Sequence, residues 1–171
     1  MNPHLAAPFA LVVLLSGCAS PHGGHAGSYA GQQSREIKAL SEDEVSGYLA
    51  GAGMGFARAA ELNRYPGPMH ALEHAEALGL TPAQRTALAD LMARHKAEAR
   101  ARGAEVVRLE RELDGLFAAR TATPQGVDAK VAEIAAAQAR VRASHLKTHL
   151  EATALMTPAQ VEKYAQLRGY R

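Results

Sequence analysis

Four histidines fall into two pairs at helical spacing, His70 with His74 and His145 with His149. Residues four apart on a helix project from one face, and an i, i+4 pair of imidazoles is a common way for one helix to give two ligands to a metal ion. Eight histidines in 171 residues, against one cysteine, put the chain's coordination chemistry on imidazole rather than thiolate. A single cysteine excludes an internal disulfide framework and any multi-cysteine zinc site. Nineteen Lys and Arg against seventeen Asp and Glu give a formal charge of +2, which is no basic field, so nucleic acid is not an expected partner. The sequence contains no Gly-rich phosphate loop behind a strand, no nucleophile elbow and no HExxH motif. The chain therefore reads as non-enzymatic, with no catalytic residue assigned.

The elements that must position these histidines are helical. Apolar residues make up 47% of the chain but are mostly Ala and Leu, with 5% aromatics and no Trp, a composition suited to close-packed helices rather than sheets. Ser41-Glu42-Asp43-Glu44 is a capping box with acids in the first turn. Val45, Leu49, Ala52, Phe56 and Ala59 or Ala60 then recur at helical spacing. Gly47, Gly51, Gly53 and Gly55 intrude, marking close approach to a neighbour or fraying. Asn63 to Pro68 stops this element, and Pro68 can open a short second helix running through Leu78.

Thr81-Pro82-Ala83-Gln84 starts a third helix with a second capping box, and the phrase returns as Met156-Thr157-Pro158-Ala159-Gln160, where Met156 and Val161 can form a hydrophobic staple. The third helix is expected from Pro82 to about Ala119. Residues 121–126 read as a turn. The fourth helix carries the stripe Val127, Val131, Ile134, Gln138, Val141, His145, His149 or Thr148, Ala152 and Leu155. The expected fold is all-α, a long antiparallel helical hairpin of coiled-coil type with short flanking helices. So thin a hairpin buries little apolar area alone, which points to a homodimer.

Pairing Leu116/Phe117 with Val127/Asp128 across the turn sets His95 opposite His149 and Glu98 opposite Leu146, to within about one helical turn. His95, Glu98, His145 and His149 then gather at the open end of the hairpin. The second helix reaches the same end, separated by a two-residue link from the third. The candidate metal ligands are His70, His74, His95, Glu98, His145 and His149. Imidazole-rich sites suit Zn, Ni, Co and Cu alike, with raw affinity favouring Cu(II). The competing reading of His95 is a seam residue with a hydrogen-bonded ring, and Glu73 reads as a solvated residue or an orienter of the first pair.

At the N-terminus, Phe9 to Leu15 is an apolar run of signal-peptide length, too short to span a bilayer. It leads into Leu15-Ser16-Gly17-Cys18, which resembles a bacterial lipobox, and the chain's one cysteine stands at the position that is lipidated. The n-region departs from the usual pattern in having no Lys or Arg, and the competing reading is a plain signal peptide with an incidental cysteine. Residues 1–17 are thus expected as a lipoprotein signal peptide, 18–40 as a flexible Gly/Ser/His-rich tether and 41–171 as the helical domain. Two acyl chains on Cys18 would anchor the protein stably to a membrane, and Ala19 resembles the signal for the outer membrane. His22 and His25 in the tether are either loose metal ligands or solvated linker residues.

Two LTxxQ-like phrases, Leu80 to Gln84 and Met156 to Gln160, bracket a long hairpin behind an export signal. In this the chain resembles the Spy/CpxP family of bacterial periplasmic proteins, and its histidines resemble those of the heavy-metal sensor and resistance branch (ZraP/CnrX-like). The resemblance implies a periplasmic protein, which the lipobox and Ala19 would hold on the inner face of the outer membrane, an interlocked homodimer of bent hairpins, and one of two roles. One is sensing or buffering a divalent transition metal, in concert with a membrane signalling protein. The other is an ATP-independent holdase that cradles unfolded envelope proteins on a concave helical surface, with Met54, Phe56, Met92 and Phe117 as candidate contacts. In the metal branch a HxxxH pair maps onto His70 and His74 and a carboxylate onto Glu98 or, in its place, His95. A HxxxM pair maps onto His145 and His149, where His replaces Met.

Overall fold

A computed structural model describes residues 27–170. Among them the regular structure is entirely helical: α1 (Glu42–Ala50), α2 (Arg58–Leu62), α3 (Pro68–Glu73), α4 (Pro82–Ala118), α5 (Pro124–Ala154) and α6 (Pro158–Leu167). No helix among the described residues is long and apolar enough to cross a membrane. The expected signal peptide, the lipidation site Cys18, and His22 and His25 lie outside the described residues.

Each helix start predicted from a capping box forms one. Ser41, Thr81 and Thr157 accept from the backbone N–H three residues on, while Glu44, Gln84 and Gln160 reach back to the cap. This satisfies two otherwise orphaned donors at each N-terminus. Thr123 caps α5 without the reciprocal bond, its hydroxyl oxygen accepting from the Gly126 N–H at 3.1 Å.

The repeated phrase has a structural reason. Gln84 and Gln160 meet side chain to side chain, each amide donating to the other's carbonyl at 2.8 and 3.1 Å. Gln84 also donates to the Leu155 carbonyl and Gln160 to that of Gly79. The two boxes thus clasp each other and close the open end of the hairpin. Glutamate at either position would keep the capping acceptor and lose the amide donors.

α4 and α5 run antiparallel, from Lys130–Glu112 near the turn (2.8 Å) to Gln84–Leu155 at the other end (2.9 Å). Two apolar clusters fill the seam. The first joins Tyr48 of α1 to Val106, Val107 and Leu109 of α4 and Ile134, Ala137 and Val141 of α5. The second, at the open end, joins Ala71, Leu78, Leu80, Leu88, Leu91, Ala152 and Met156 around the fully buried Tyr164 of α6. Burying one such Leu or Val contributes about 2 kcal/mol, so these clusters, not the exposed ion pairs along α4, hold the hairpin closed.

Four expectations are corrected by tertiary packing. The first helix breaks at Gly51 (φ +62°), whose left-handed conformation caps α1, and resumes only as α2. Its buried residue is Tyr48, while Leu49 is 48% exposed. Gly103 explains the docking: a Cβ there would lie 2.1 Å from the Tyr48 carbonyl oxygen, so a glycine on α4 admits the end of α1. On α5 the buried stripe runs Ile134, Ala137, Val141, and Val131 is exposed. α3 ends at Glu73 rather than Leu78, followed by turns and Gly79 at φ +61°. Finally, the segment expected as tether up to residue 40 contributes Ile37 and Leu40 to the first cluster, and Lys38 binds Asp114 at 3.3 Å. Two apolar residues three apart suffice to fasten this stretch along α4.

Candidate metal centre

Between the two apolar clusters the seam carries a polar layer of His95, Ser144, His145 and Thr148, all buried. Its proton pattern follows from one carbonyl. Thr148 donates its hydroxyl proton to the Ser144 carbonyl at 2.9 Å, the usual back-bond of a helical threonine. Its oxygen therefore accepts from His95 Nδ1–H at 3.0 Å. His95 Nε2 is left with a lone pair and accepts from His145 Nδ1–H at 3.1 Å. The chain of bonds ends at His145 Nε2, a buried lone pair with no hydrogen-bond partner among the described residues.

Both rings are neutral. Burial, with His95 and His149 adding to it, pushes His145 down to about 4, and burial likewise holds His95 below its ordinary value. The rings meet edge to face at 4.5 Å, with Phe56 stacked at a tilt 5.5 Å from His145. Sequence periodicity left the seam position open between His149 and Thr148, and the structure gives it to Thr148. His95 meets His145 and Thr148 rather than His149, a difference of one helical turn at most.

A second polar cluster centres on Glu61 of α2. Its Oε1 accepts from Tyr164 Oη at 2.7 Å, Tyr170 Oη at 3.1 Å and Arg168 Nε at 3.3 Å, and lies 3.8 Å from His70 Nδ1. Its Oε2 lies 3.6 Å from His149 Nδ1. His149 Nδ1–H donates to the Tyr65 carbonyl at 2.8 Å, which fixes the tautomer and leaves Nε2 as the basic nitrogen. A Cβ on Gly67 would sit 3.2 Å from that Nε2, so glycine at 67 is what leaves space beside it. Burial, then the bond to Glu61, raises the Tyr164 phenol well above its ordinary range.

The two clusters face a cleft of about 500 Å³ between the α1–α3 segment and the hairpin. Of the six expected ligands, His70, His95, His145 and His149 line it. His74 and Glu98 do not. His74 is the C-cap of α3 (φ −100°, ψ 18°), its N–H still bonded to the His70 carbonyl, but it does not reach the cleft wall as His70 does. Glu98 is turned outward to Arg102, whose Nε donates to it at 2.9 Å. Among the described residues no three His, Cys, Asp or Glu side chains are grouped closely enough to hold one ion.

Glu61, absent from the sequence-derived set, is the carboxylate the cleft does contain. No local spacing betrays it, because its hydrogen-bond partners lie 103 or more residues away, on α6 and beyond. The donor chemistry nevertheless fits a borderline transition metal: two imidazoles, one with an unpartnered buried nitrogen and one oriented by a backbone carbonyl.

A sequence profile described as heavy-metal resistance matches residues 45–163, more than two thirds of the chain. The chain belongs to the heavy-metal resistance family. The matched region runs from the first turn of α1 into α6 and takes in both capping-box phrases and every histidine of the cleft. Membership agrees with the expectation of a Spy/CpxP-like heavy-metal response protein at the level of the family. No curated protein and no solved structure matches the chain.

Proposed function

We propose that this family member is a non-enzymatic envelope lipoprotein, anchored through Cys18 to the inner face of the outer membrane. It senses or buffers a transition-metal ion in the cleft between α1–α3 and the hairpin. The observation that carries this reading is the buried, unpartnered lone pair of His145 Nε2 beside the carbonyl-oriented ring of His149. An imidazole binds metal only when neutral, and burial keeps His145 neutral at physiological pH. Engaging an ion requires the short segments carrying His70 and Glu61 to move against the hairpin, which would pass occupancy to a membrane signalling partner. The thin hairpin and its exposed Phe117 and Val131 favour a homodimer, to be read by gel filtration at micromolar concentration.

Calorimetric titration of the metal-free Cys18→Ser chain with Zn(II), Ni(II), Co(II) and Cu(II) tests the assignment. Saturable binding near one ion per chain is expected, with the loss of that binding in the His145→Ala/His149→Ala variant. Unchanged binding in the double variant overturns the site. A holdase role is the second reading, favoured by the 59% exposure of Phe117 near the hairpin turn. It predicts that the metal-free double variant suppresses aggregation of an unfolded client as well as the parent.

A further inference from the structure

The chain has five methionines. Met1 begins it and Met156 is buried in the second apolar cluster. The remaining three, Met54, Met69 and Met92, come from three separate elements and all line the cleft that holds His145 and His149. Methionines at helical spacing usually fill a core, but Met54 and Met69 are 40% and 46% exposed and fill none.

Met54 is held there against its backbone preference. It sits at φ +42°, a region that non-glycine residues avoid, between Gly53 and Gly55. Its sulfur lies where a Cβ on Gly47 would be 2.9 Å away, so glycine at 47 leaves room for the thioether.

The cleft's charge also selects among ions. Arg58 and Lys96 stand on its wall, and the carboxylate of Glu61 is already engaged by two phenols and a guanidinium. A singly charged ion needs less compensation here than a doubly charged one. Neutral thioethers with a neutral imidazole suit a soft, singly charged one, and thioether ligands select Cu(I).

We propose that this cleft binds Cu(I) through the thioethers of Met54, Met69 and Met92 together with His145 Nε2. The proposal rests on the metal-binding reading above and replaces its divalent ion with a monovalent one. A count of imidazole and carboxylate donors alone does not find this site, because its sulfur ligands belong to neither class.

The test uses the full chain carrying Cys18→Ser, so that thioethers are its sole sulfur. Anaerobic competition against a chromophoric Cu(I) chelator gives the affinity, copper-edge X-ray absorption reports sulfur around the ion, and Zn(II) calorimetry runs in parallel. Replacing all three methionines by Leu is expected to weaken Cu(I) binding about 100-fold and to remove the sulfur signal, leaving any Zn(II) isotherm unchanged. Should the triple variant unfold, Met54→Leu/Met69→Leu, at two exposed positions, carries the same expectation at about tenfold. Zn(II) or Ni(II) binding with Cu(I) left on the chelator, or Cu(I) bound without sulfur, overturns the thioether site and leaves the imidazole reading standing. A chain that takes up no ion at all overturns both.

Discussion

The two polar clusters facing the cleft differ in how completely they are satisfied. Around Glu61 donors outnumber acceptors: one carboxylate oxygen accepts from two phenols and a guanidinium, and a histidine stands close to each oxygen. Around His95 and His145 the count runs the other way, and a sequence of bonds that begins at a backbone carbonyl ends on a nitrogen with nothing to accept from. A buried acceptor without a donor costs stability, whereas a saturated carboxylate returns it. The saturated cluster is a latch that fastens α6 and the residues after it to α2. The unsaturated one leaves a buried Lewis base unengaged, the one the proposed ion would use.

Breaking the latch has the largest expected effect. Glu61→Ala strips the buried Tyr164 hydroxyl and Arg168 of their acceptor and should lower stability by about 3 kcal/mol in urea unfolding. A loss below about 1 kcal/mol would mean that water replaces the carboxylate, and the distinction between latch and ligand site would fail. Thr148→Val probes the other cluster at nearly constant volume. It removes the acceptor that fixes the His95 tautomer, with an expected cost of about 1–2 kcal/mol and at least about a tenfold loss of metal-ion affinity. Nitrogen chemical shifts of the two rings report the tautomer, and unaltered shifts would show that Thr148 does not set it.

The smallest effect concerns a third carboxylate that has no latch. Glu110 is buried on α4 beside Tyr48, and burial, reinforced by Glu44, raises its carboxyl above the ordinary range. The nearby Lys38 is committed to Asp114. With a folded pKa above the unfolded one, the native state holds the proton more tightly, so stability falls as pH rises through that interval and the penalty persists above it. Glu110→Gln should therefore stabilise the chain by about 1 kcal/mol at pH 7, with the gain shrinking to nothing below pH ~4.5. Thermal unfolding at pH 7 and pH 4 measures it, and an equal shift at both would refute burial as the cause.

What was legible in the sequence is what depends on neighbours along one helix. Ser41 with Glu44, Thr81 with Gln84 and Thr157 with Gln160 declare helix starts in four residues each, and the hairpin follows from period and turn. The register across the turn placed His95 within one helical turn of its partner, because rise per residue is nearly constant. Illegible were contacts between elements. Tyr48 displaces Leu49 from the core because Gly103, more than fifty residues on, opens space for it. His74 stays out of the cleft that His70 lines, at the point where α3 ends. Glu98 turns to Arg102 at i+4, a local pairing the charge pattern allowed, and Glu61 takes the place of an acid in the cleft through partners at the far end of the chain.

The clasp between Gln84 and Gln160 spans 76 residues of chain, yet almost all of that span is the zipped hairpin. In an unzipped chain, closing so long a loop for two amide bonds would lose more entropy than the bonds return. Once α4 and α5 are paired, Gln84 already lies against Leu155, and only the short link into α6 remains to be ordered. The repeat therefore acts late: it forms after the hairpin, opens before it, and makes the end of the molecule that carries α6 the first to loosen under stress.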